Sequence, residues 1–147
     1  MIYNENIITE YESMELWCRD DWKKDKPKDK WKSDCPFCDI EKHKDILIWE
    51  WKYLKIIHNR FPMLGRKDHF MIIPKRHVIL TSELSDNELI EMREAEKQME
   101  IMYDGKRYFS FIRQAVANRS LEHLHYHYLP GNLPYRSTED ILRKQWY

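Results

Sequence analysis

Short runs in which apolar residues alternate with polar ones, separated by turn residues, recur along the chain and predict β-strands. We expect strands at residues 46–51, 53–58, 69–73, 108–115 and 123–129. The third strand should stop at Pro74, because proline has no N–H to continue a hydrogen-bonded ladder. Short connections between successive strands favour antiparallel pairing.

One long helix is predicted between the third and fourth strands. It should begin at the capping box Ser85-Asp-Asn-Glu88 and run to about Tyr103, with Gly105 as its stop signal. The side chains expected to face the sheet are Leu89, Met92, Met99 and Met102 or Tyr103. The element order β-β-β-α-β-β therefore predicts an α+β domain, in which a five-stranded antiparallel sheet carries the long helix on one face and short terminal helices.

Residues 1–34 form a distinct N-terminal extension, and residues 35–147 form the domain proper. Within the extension, Ile7–Trp22 fits a short amphipathic helix; near the other end, Ser137-Thr-Glu-Asp140 can cap a short last helix. Residues 23–32 contain six lysines and two aspartates. We interpret this run as a solvated connector rather than a basic lip for polyphosphate, because the interleaved aspartates weaken its positive field.

Composition narrows the functional classes. The 147 residues fit one domain, and 25 basic against 25 acidic side chains leave no net charge. That balance argues against whole-surface attraction to nucleic acid or membrane. No apolar run is long enough to span a bilayer. Three cysteines without a secretory signal favour the cytoplasm over a disulfide framework. Only three glycines exclude a glycine-rich phosphate loop.

The most informative stretch is residues 121–130, where His123, His125 and His127 alternate with apolar residues. In a β-strand all three imidazoles would lie on one face. The opposite, core-facing side would then carry Leu124, Tyr126 and Tyr128. Three neighbouring imidazoles suit a metal site, or a nucleophile with its acid and base.

A metal site is also suggested by Cys35 and Cys38, whose C-x-x-C spacing lets two thiolates bind one tetrahedral ion. His77 and His123 are candidates for the two further ligands. A Cys2His2 site built from these four residues would be closed, and its zinc would therefore be structural. The alternatives are two unrelated buried thiols or a redox pair, which would need a thioredoxin-like context that the chain lacks.

If His123 binds metal, His125 and His127 remain for chemistry. A neutral imidazole can attack phosphorus and form a phosphoramidate, provided that a backbone carbonyl fixes its tautomer. The second ring can bind the phosphoryl oxygens or protonate the leaving group. Upstream, Arg113, Arg119 and Ser120 suit a developing phosphoryl charge. Two alternatives stay open: a surface ion pair for Arg113, and a metal site that uses all three histidines.

From about Cys35 to Pro130 the chain resembles the histidine triad family of nucleotide hydrolases and transferases. Its signature is the pattern His-φ-His-φ-His-φ-φ, which begins at His123. The other matching motifs are Cys35-Pro-Phe-Cys38, as in the zinc-binding bacterial branch, Asn59-Arg-Phe-Pro62, the strand from His69 that ends in Pro74-Lys-Arg-His77, and Ser120.

The resemblance implies a role for each matching residue. His125 would be the nucleophile that takes a nucleotidyl group at its α-phosphate, and His127 would contact the phosphate and assist the leaving group. Zinc would be held by Cys35, Cys38, His77 and His123. Nucleotide binding would fall to Asn59 on the ribose and to Ser120, Arg119 and Arg113 near the phosphates. Family members are usually homodimers, and they act on dinucleoside polyphosphates, nucleoside phosphoramidates or related nucleotidyl conjugates.

Two departures from the family pattern stand out. Asp68-His69 replaces the usual Gly-His, and Asn118-Arg119 replaces the usual Gly-Gln. An arginine at residue 119 should favour a more anionic substrate such as a polyphosphate. Hydrolysis is preferred over nucleotidyl transfer, because the transferase branch keeps glutamine where this chain has His127. A non-catalytic nucleotide-binding protein is the other alternative, and the neutral charge disfavours a nucleic-acid-end repair role.

Overall fold

The computed structural model describes residues 35–39, 41–114 and 121–146. Residues 1–34, with the helix expected there, lie outside the described residues, and so do Arg119 and Ser120. The strands are β1 Leu47–Glu50, β2 Leu54–His58, β3 Phe70–Pro74, β4 Tyr108–Phe111 and β5 Tyr126–Pro130. The helices are α1 Asp86–Tyr103 and α2 Tyr135–Trp146, with 3-10 segments at Glu41–Ile46, Met63–Gly65 and Thr81–Glu83.

The five strands form one sheet in the order β1-β2-β3-β5-β4, and all four pairings are antiparallel. The predicted α+β architecture is therefore confirmed. β5 lies between β3 and β4, so that β4 becomes an edge strand although it precedes β5 in the chain. β4 also ends at Phe111, earlier than the predicted strand 108–115, while α2 begins two residues before the predicted cap at Ser137.

α1 covers one face of the sheet. The Ser85–Glu88 capping box begins it as predicted, and Ala95, Met99 and Tyr103 pack on Leu54, Ile56 and Ile72 of β2 and β3. The prediction for Leu89 is wrong, since that side chain is 48% exposed. The buried stripe instead starts one residue earlier at Glu88, whose carboxylate pairs with Arg76 at 2.7 Å. Within the described residues, neither helix is long and apolar enough to cross a membrane.

A carboxylate of α1 also fastens the turn between β1 and β2. Glu91 accepts hydrogen bonds from the backbone N–H groups of Lys52, Tyr53 and Leu54, at 3.1, 2.7 and 2.6 Å. Two of these donors, Lys52 and Tyr53, lie in the turn between the strands, and the helix supplies an acceptor for them. The contact fixes the two-stranded edge of the sheet against the helix.

The face opposite α1 is covered by the segment that carries the two cysteines. Cys35 and Phe37 form a second buried cluster there with Ile57, Met71 and Ile73 of β2 and β3. Period-two alternation puts His127 of β5 on this same face, directly opposite Met71 of β3. The candidate site therefore lies on the sheet face away from α1.

The prediction that one strand carries all three triad histidines is wrong, because β5 begins at Tyr126 and contains only His127. The neighbouring strand explains the shift. Continuing the β3–β5 register would set Leu124 opposite Pro74, which has no N–H to donate. The N–H of Leu124 bonds instead to the carbonyl of Val78 at 2.7 Å. The core-facing side chains Leu124 and Tyr128 are fully buried, as predicted.

Candidate active site and metal centre

Two cysteines and two histidines converge beside the end of β3. A turn closed by the Cys38 N–H and the Cys35 carbonyl, 3.1 Å apart, brings both thiols to one side. His77 follows β3, and His123 precedes β5. The ligand atoms of these four side chains all lie within 4.8 Å of one another. The structure thus brings together the four predicted ligands, and the cluster can hold a metal ion.

The orientation of the His123 ring fits such a role. Its Nδ1 lies 3.3 Å from Cys35 Sγ and 3.6 Å from Cys38 Sγ, while its Nε2–H donates to the Pro74 carbonyl at 2.8 Å. This second bond fixes the tautomer that leaves Nδ1 deprotonated, as is usual for a metal-bound imidazole. His77 likewise turns Nδ1 toward Cys38 Sγ, at 3.2 Å.

Burial sets the protonation states of this cluster. It lowers the pKa of His123 to about 3, so that the ring is neutral and able to act as a ligand. It raises the pKa of the Cys35 thiol to about 11, so that the thiol keeps its proton until a cation displaces it. Two thiolates and two imidazoles in a closed set suit a tetrahedral structural ion of the zinc type.

His125 follows directly and is held by the same segment. Its Nδ1–H donates to the backbone carbonyl of His123 at 2.6 Å. A neutral imidazole with its proton on Nδ1 presents an unprotonated Nε2. This is the arrangement that a nucleophilic ring requires, because the lone pair of Nε2 is then available to an electrophile.

His127 lies beside the nucleophile candidate, with the two ring centroids 4.8 Å apart. Phe111 of β4 stacks on its other side at 4.7 Å, with the ring planes 16° apart. His69, which immediately precedes β3, brings its Nε2 to within 2.9 Å of His127 Nδ1. The ring of His127 is therefore fixed by both neighbouring strands.

These contacts define a chain of tautomers. The N–H of Met63 donates to His69 Nδ1 at 3.1 Å, so a neutral His69 carries its proton on Nε2. That proton is donated to His127 Nδ1, and His127 must then hold its own proton on Nε2. Burial lowers the pKa of His69 to about 4, which keeps the ring neutral near pH 7. His127 is thus prepared as a proton donor while His125 is prepared as an acceptor.

The sequence predicts His69 at the start of a strand and assigns it no role. The available signal was one imidazole ahead of the otherwise apolar run Phe70–Ile73. That signal is weak, because the contact between His69 and His127 depends on β5 pairing with β3 across 58 residues of sequence. Only the sheet order reveals it.

The remaining predicted site residues differ in position. Asn59 lies inside the site: its Nδ2 is 3.3 Å from both ring nitrogens of His69, and its Oδ1 accepts from the N–H of Phe61 at 3.0 Å. Arg113 lies two residues beyond the end of β4. Arg119 and Ser120 lie outside the part of the chain that the structure describes.

The fold is that of solved histidine triad proteins. More narrowly, the chain belongs to the family described as protein similar to CwfJ C-terminal, whose model matches residues 22–139. The match covers most of the chain and extends upstream of Cys35. No curated protein matches the sequence.

Solved structures agree on the fold. The chain is similar to a histidine triad nucleotide-binding protein from Candida albicans, with 17% identity and a TM-score of 0.56 over 76% of this chain and 94% of that one. A HIT family hydrolase from Clostridium thermocellum is similar with 24% identity and a TM-score of 0.55, over 69% of this chain and 94% of that one. The chain is also similar to Plasmodium falciparum diadenosine triphosphate hydrolase, with 18% identity and a TM-score of 0.52 over 69% of this chain and 71% of that one.

Proposed function

We propose that this protein is a nucleotide hydrolase that cleaves a nucleotidyl conjugate at its α-phosphate through a nucleotidyl-histidine intermediate on His125. The observation that carries the proposal is the pairing of opposite tautomers: His125 presents an unprotonated Nε2, and the neighbouring His127 carries a proton on its own Nε2. A nucleophile and a general acid side by side are what displacement at phosphorus requires.

In the first step the lone pair of His125 Nε2 attacks the α-phosphorus. The bond from phosphorus to the leaving group breaks, and the leaving oxygen or nitrogen takes the proton from His127 Nε2. In the second step water attacks the nucleotidyl-histidine and gives a proton back to His127. The phosphorus–nitrogen bond breaks, and a nucleoside monophosphate is released. His69 keeps His127 in the donating tautomer during the first step.

The substrate class we propose is a dinucleoside polyphosphate or a nucleoside phosphoramidate. Family membership supports this class, as do similar proteins that are described as nucleotide-binding or as a diadenosine triphosphate hydrolase. Asn59, whose Nδ2 lies 3.3 Å from the ring nitrogens of His69, is proposed to bind the ribose. Ser120, Arg119 and Arg113 are proposed to bind the phosphates.

We propose structural zinc for the cluster of Cys35, Cys38, His77 and His123. Bound there, the ion would cross-link three separate parts of the chain and offer no open coordination position to a substrate. A homodimer in the cytoplasm completes the proposal. The homodimer is supported by β4, whose outer edge pairs with no strand of the described residues and would pair with a second copy.

The proposal is tested by hydrolysis of diadenosine polyphosphates, an adenosine phosphoramidate and the guanosine counterparts by wild type and by His125→Ala. We expect turnover by wild type and none by His125→Ala, with nucleotide binding retained in both. Turnover that survives His125→Ala would refute the covalent mechanism. Binding without turnover in wild type would favour a nucleotidyltransferase awaiting its acceptor, or a non-catalytic nucleotide-binding protein.

A further inference from the structure

Phe37 stands between the two cysteines and touches the candidate nucleophile. Its ring centroid lies 5.7 Å from that of His123 and 5.3 Å from that of His125, and both contacts are edge-on. One side chain therefore contacts a predicted metal ligand and the reacting imidazole at once, while its backbone joins Cys35 to Cys38.

The position of Phe37 is fixed from the other side as well. The buried ammonium of Lys55 on β2 donates to the Phe37 carbonyl at 2.9 Å. The Phe37 ring packs in the cluster with Ile57, Met71 and Ile73, and its centroid lies 5.5 Å from that of the His43 ring. Because interiors are close-packed, Phe37 cannot shift without moving the cysteine turn.

Two contacts that orient His125 come from the segments that carry the predicted metal ligands. Its Nδ1 is held by the carbonyl of His123, and its ring edge is held by Phe37. Both supports belong to the segments that the metal centre would join. The contact with His127 comes from the sheet. The metal-binding segments therefore supply two of the contacts that orient His125 Nε2.

We infer that Phe37 is a positioning residue that transmits the geometry of the metal centre to His125, so that metal occupancy controls how the nucleophile is oriented. The effect on catalysis rests on the proposed function, whereas the effect on the His125 ring does not. Edge-to-face ring contacts impose a defined geometry that an aliphatic side chain cannot supply. A displacement of about 1 Å at a reacting group can reduce a rate about 100-fold.

The test compares wild type, Phe37→Leu and the control Phe70→Leu. Phe70 is buried to the same degree, at 6% exposed against 7%, but it packs on the α1 face against Tyr103. Each protein is loaded with Zn²⁺ and its metal content is measured. The tautomer of His125 is then read from long-range ¹H–¹⁵N spectra, with and without the metal.

We expect a single Nδ1–H tautomer of His125 in zinc-loaded wild type and in zinc-loaded Phe70→Leu. Averaged nitrogen shifts are expected in metal-free wild type and in zinc-loaded Phe37→Leu. Phe37→Tyr, which keeps the ring, should restore the single tautomer. If Phe37→Leu does not fold, Phe37→Met makes the same comparison with an unbranched side chain. The same sharp tautomer in zinc-loaded Phe37→Leu, or no zinc uptake by wild type, would overturn the inference.

Measurements of kcat and KM test the role of Phe37 separately from the proposed function. If wild type is active, Phe37→Leu with full zinc content should lose about 10- to 100-fold in kcat with little change in KM. A raised KM with unchanged kcat would instead make Phe37 a wall of the substrate pocket and overturn the positioning role. A wild type inactive on every substrate would refute the proposed function, and the spectra would still decide the role of Phe37.

Discussion

Replacing His69 by phenylalanine should disable proton donation to the leaving group and leave nucleotide binding intact. Phenylalanine preserves a ring beside His127, whose centroid lies 5.1 Å from that of His69. It removes the Nε2–H that reaches His127 Nδ1 at 2.9 Å. His127 can then move its own proton to Nδ1, and its Nε2 no longer carries the proton that the leaving group needs.

The magnitude follows from the burial of this hydrogen bond. His69 is fully buried, and leaving a buried acceptor without its donor costs about 1–3 kcal/mol. Since 1.4 kcal/mol corresponds to about a factor of ten, kcat should fall about 10- to 100-fold for a substrate whose leaving group must be protonated. A nitrophenyl nucleotide ester, which releases a stable phenolate, should lose less than about threefold.

The assay measures kcat and KM at pH 7 for a nucleoside phosphoramidate and for the nitrophenyl ester. His58→Phe is the matched control, because His58 is another buried histidine, which contacts Phe70 at 5.2 Å on the α1 face. We expect the control to affect both substrates equally. Equal losses on both substrates in His69→Phe, or no loss on either, would refute the chain of tautomers.

Four further predictions address the metal, the fold and the substrate. Cys38→Ser should abolish stoichiometric Zn²⁺ uptake and lower the unfolding temperature by more than about 5 °C, and unchanged metal content would contradict the ligand set. Burial lowers the pKa of His58 from 6.5 to about 4, so the unfolded chain binds this proton first as the pH falls. The free energy of unfolding should therefore fall between about pH 6.5 and pH 4, and His58→Gln should reduce the slope in urea titrations by about 1.4 kcal/mol per pH unit. Glu91→Ala should cost about 1–3 kcal/mol in urea unfolding, because it removes the acceptor of three turn N–H groups, while the exposed Glu94→Ala should cost little. Arg119→Gln should weaken polyphosphate turnover more than phosphoramidate turnover, and equal effects on both would count against a charge-selecting role.

Much of the fold was predictable because its signals are local. The Ser85–Glu88 capping box determines where α1 begins, and short apolar runs bounded by turn residues indicate β1, β2 and β3. The prediction for Leu89 is wrong because the buried stripe of α1 includes Glu88, a charged residue whose carboxylate pairs with Arg76 and accepts hydrogen bonds from Ser85. Periodicity counts apolar residues and cannot foresee that pair.

The candidate site was predictable only in part, for a related reason. The spacing of the cysteines and histidines identified the four members of the metal cluster. The start of β5, by contrast, depends on Pro74 in the neighbouring strand, and the part played by His69 depends on its pairing partner. Phe37 is an unassigned residue within C-x-x-C, and its contact with His125 arises only when that turn packs on the sheet. Such contacts join distant parts of the chain and leave no local pattern.

The most direct test of the central claim is to look for the covalent intermediate. Wild-type protein is mixed with diadenosine polyphosphate or an adenosine phosphoramidate, and the reaction is stopped in alkaline denaturant within the first turnover. Peptide mass spectrometry then locates any adduct. We predict adenylate attached to His125 in wild type and no adduct in His125→Ala. Substrate turnover without an adduct on His125, or an adduct on another residue, would contradict the account.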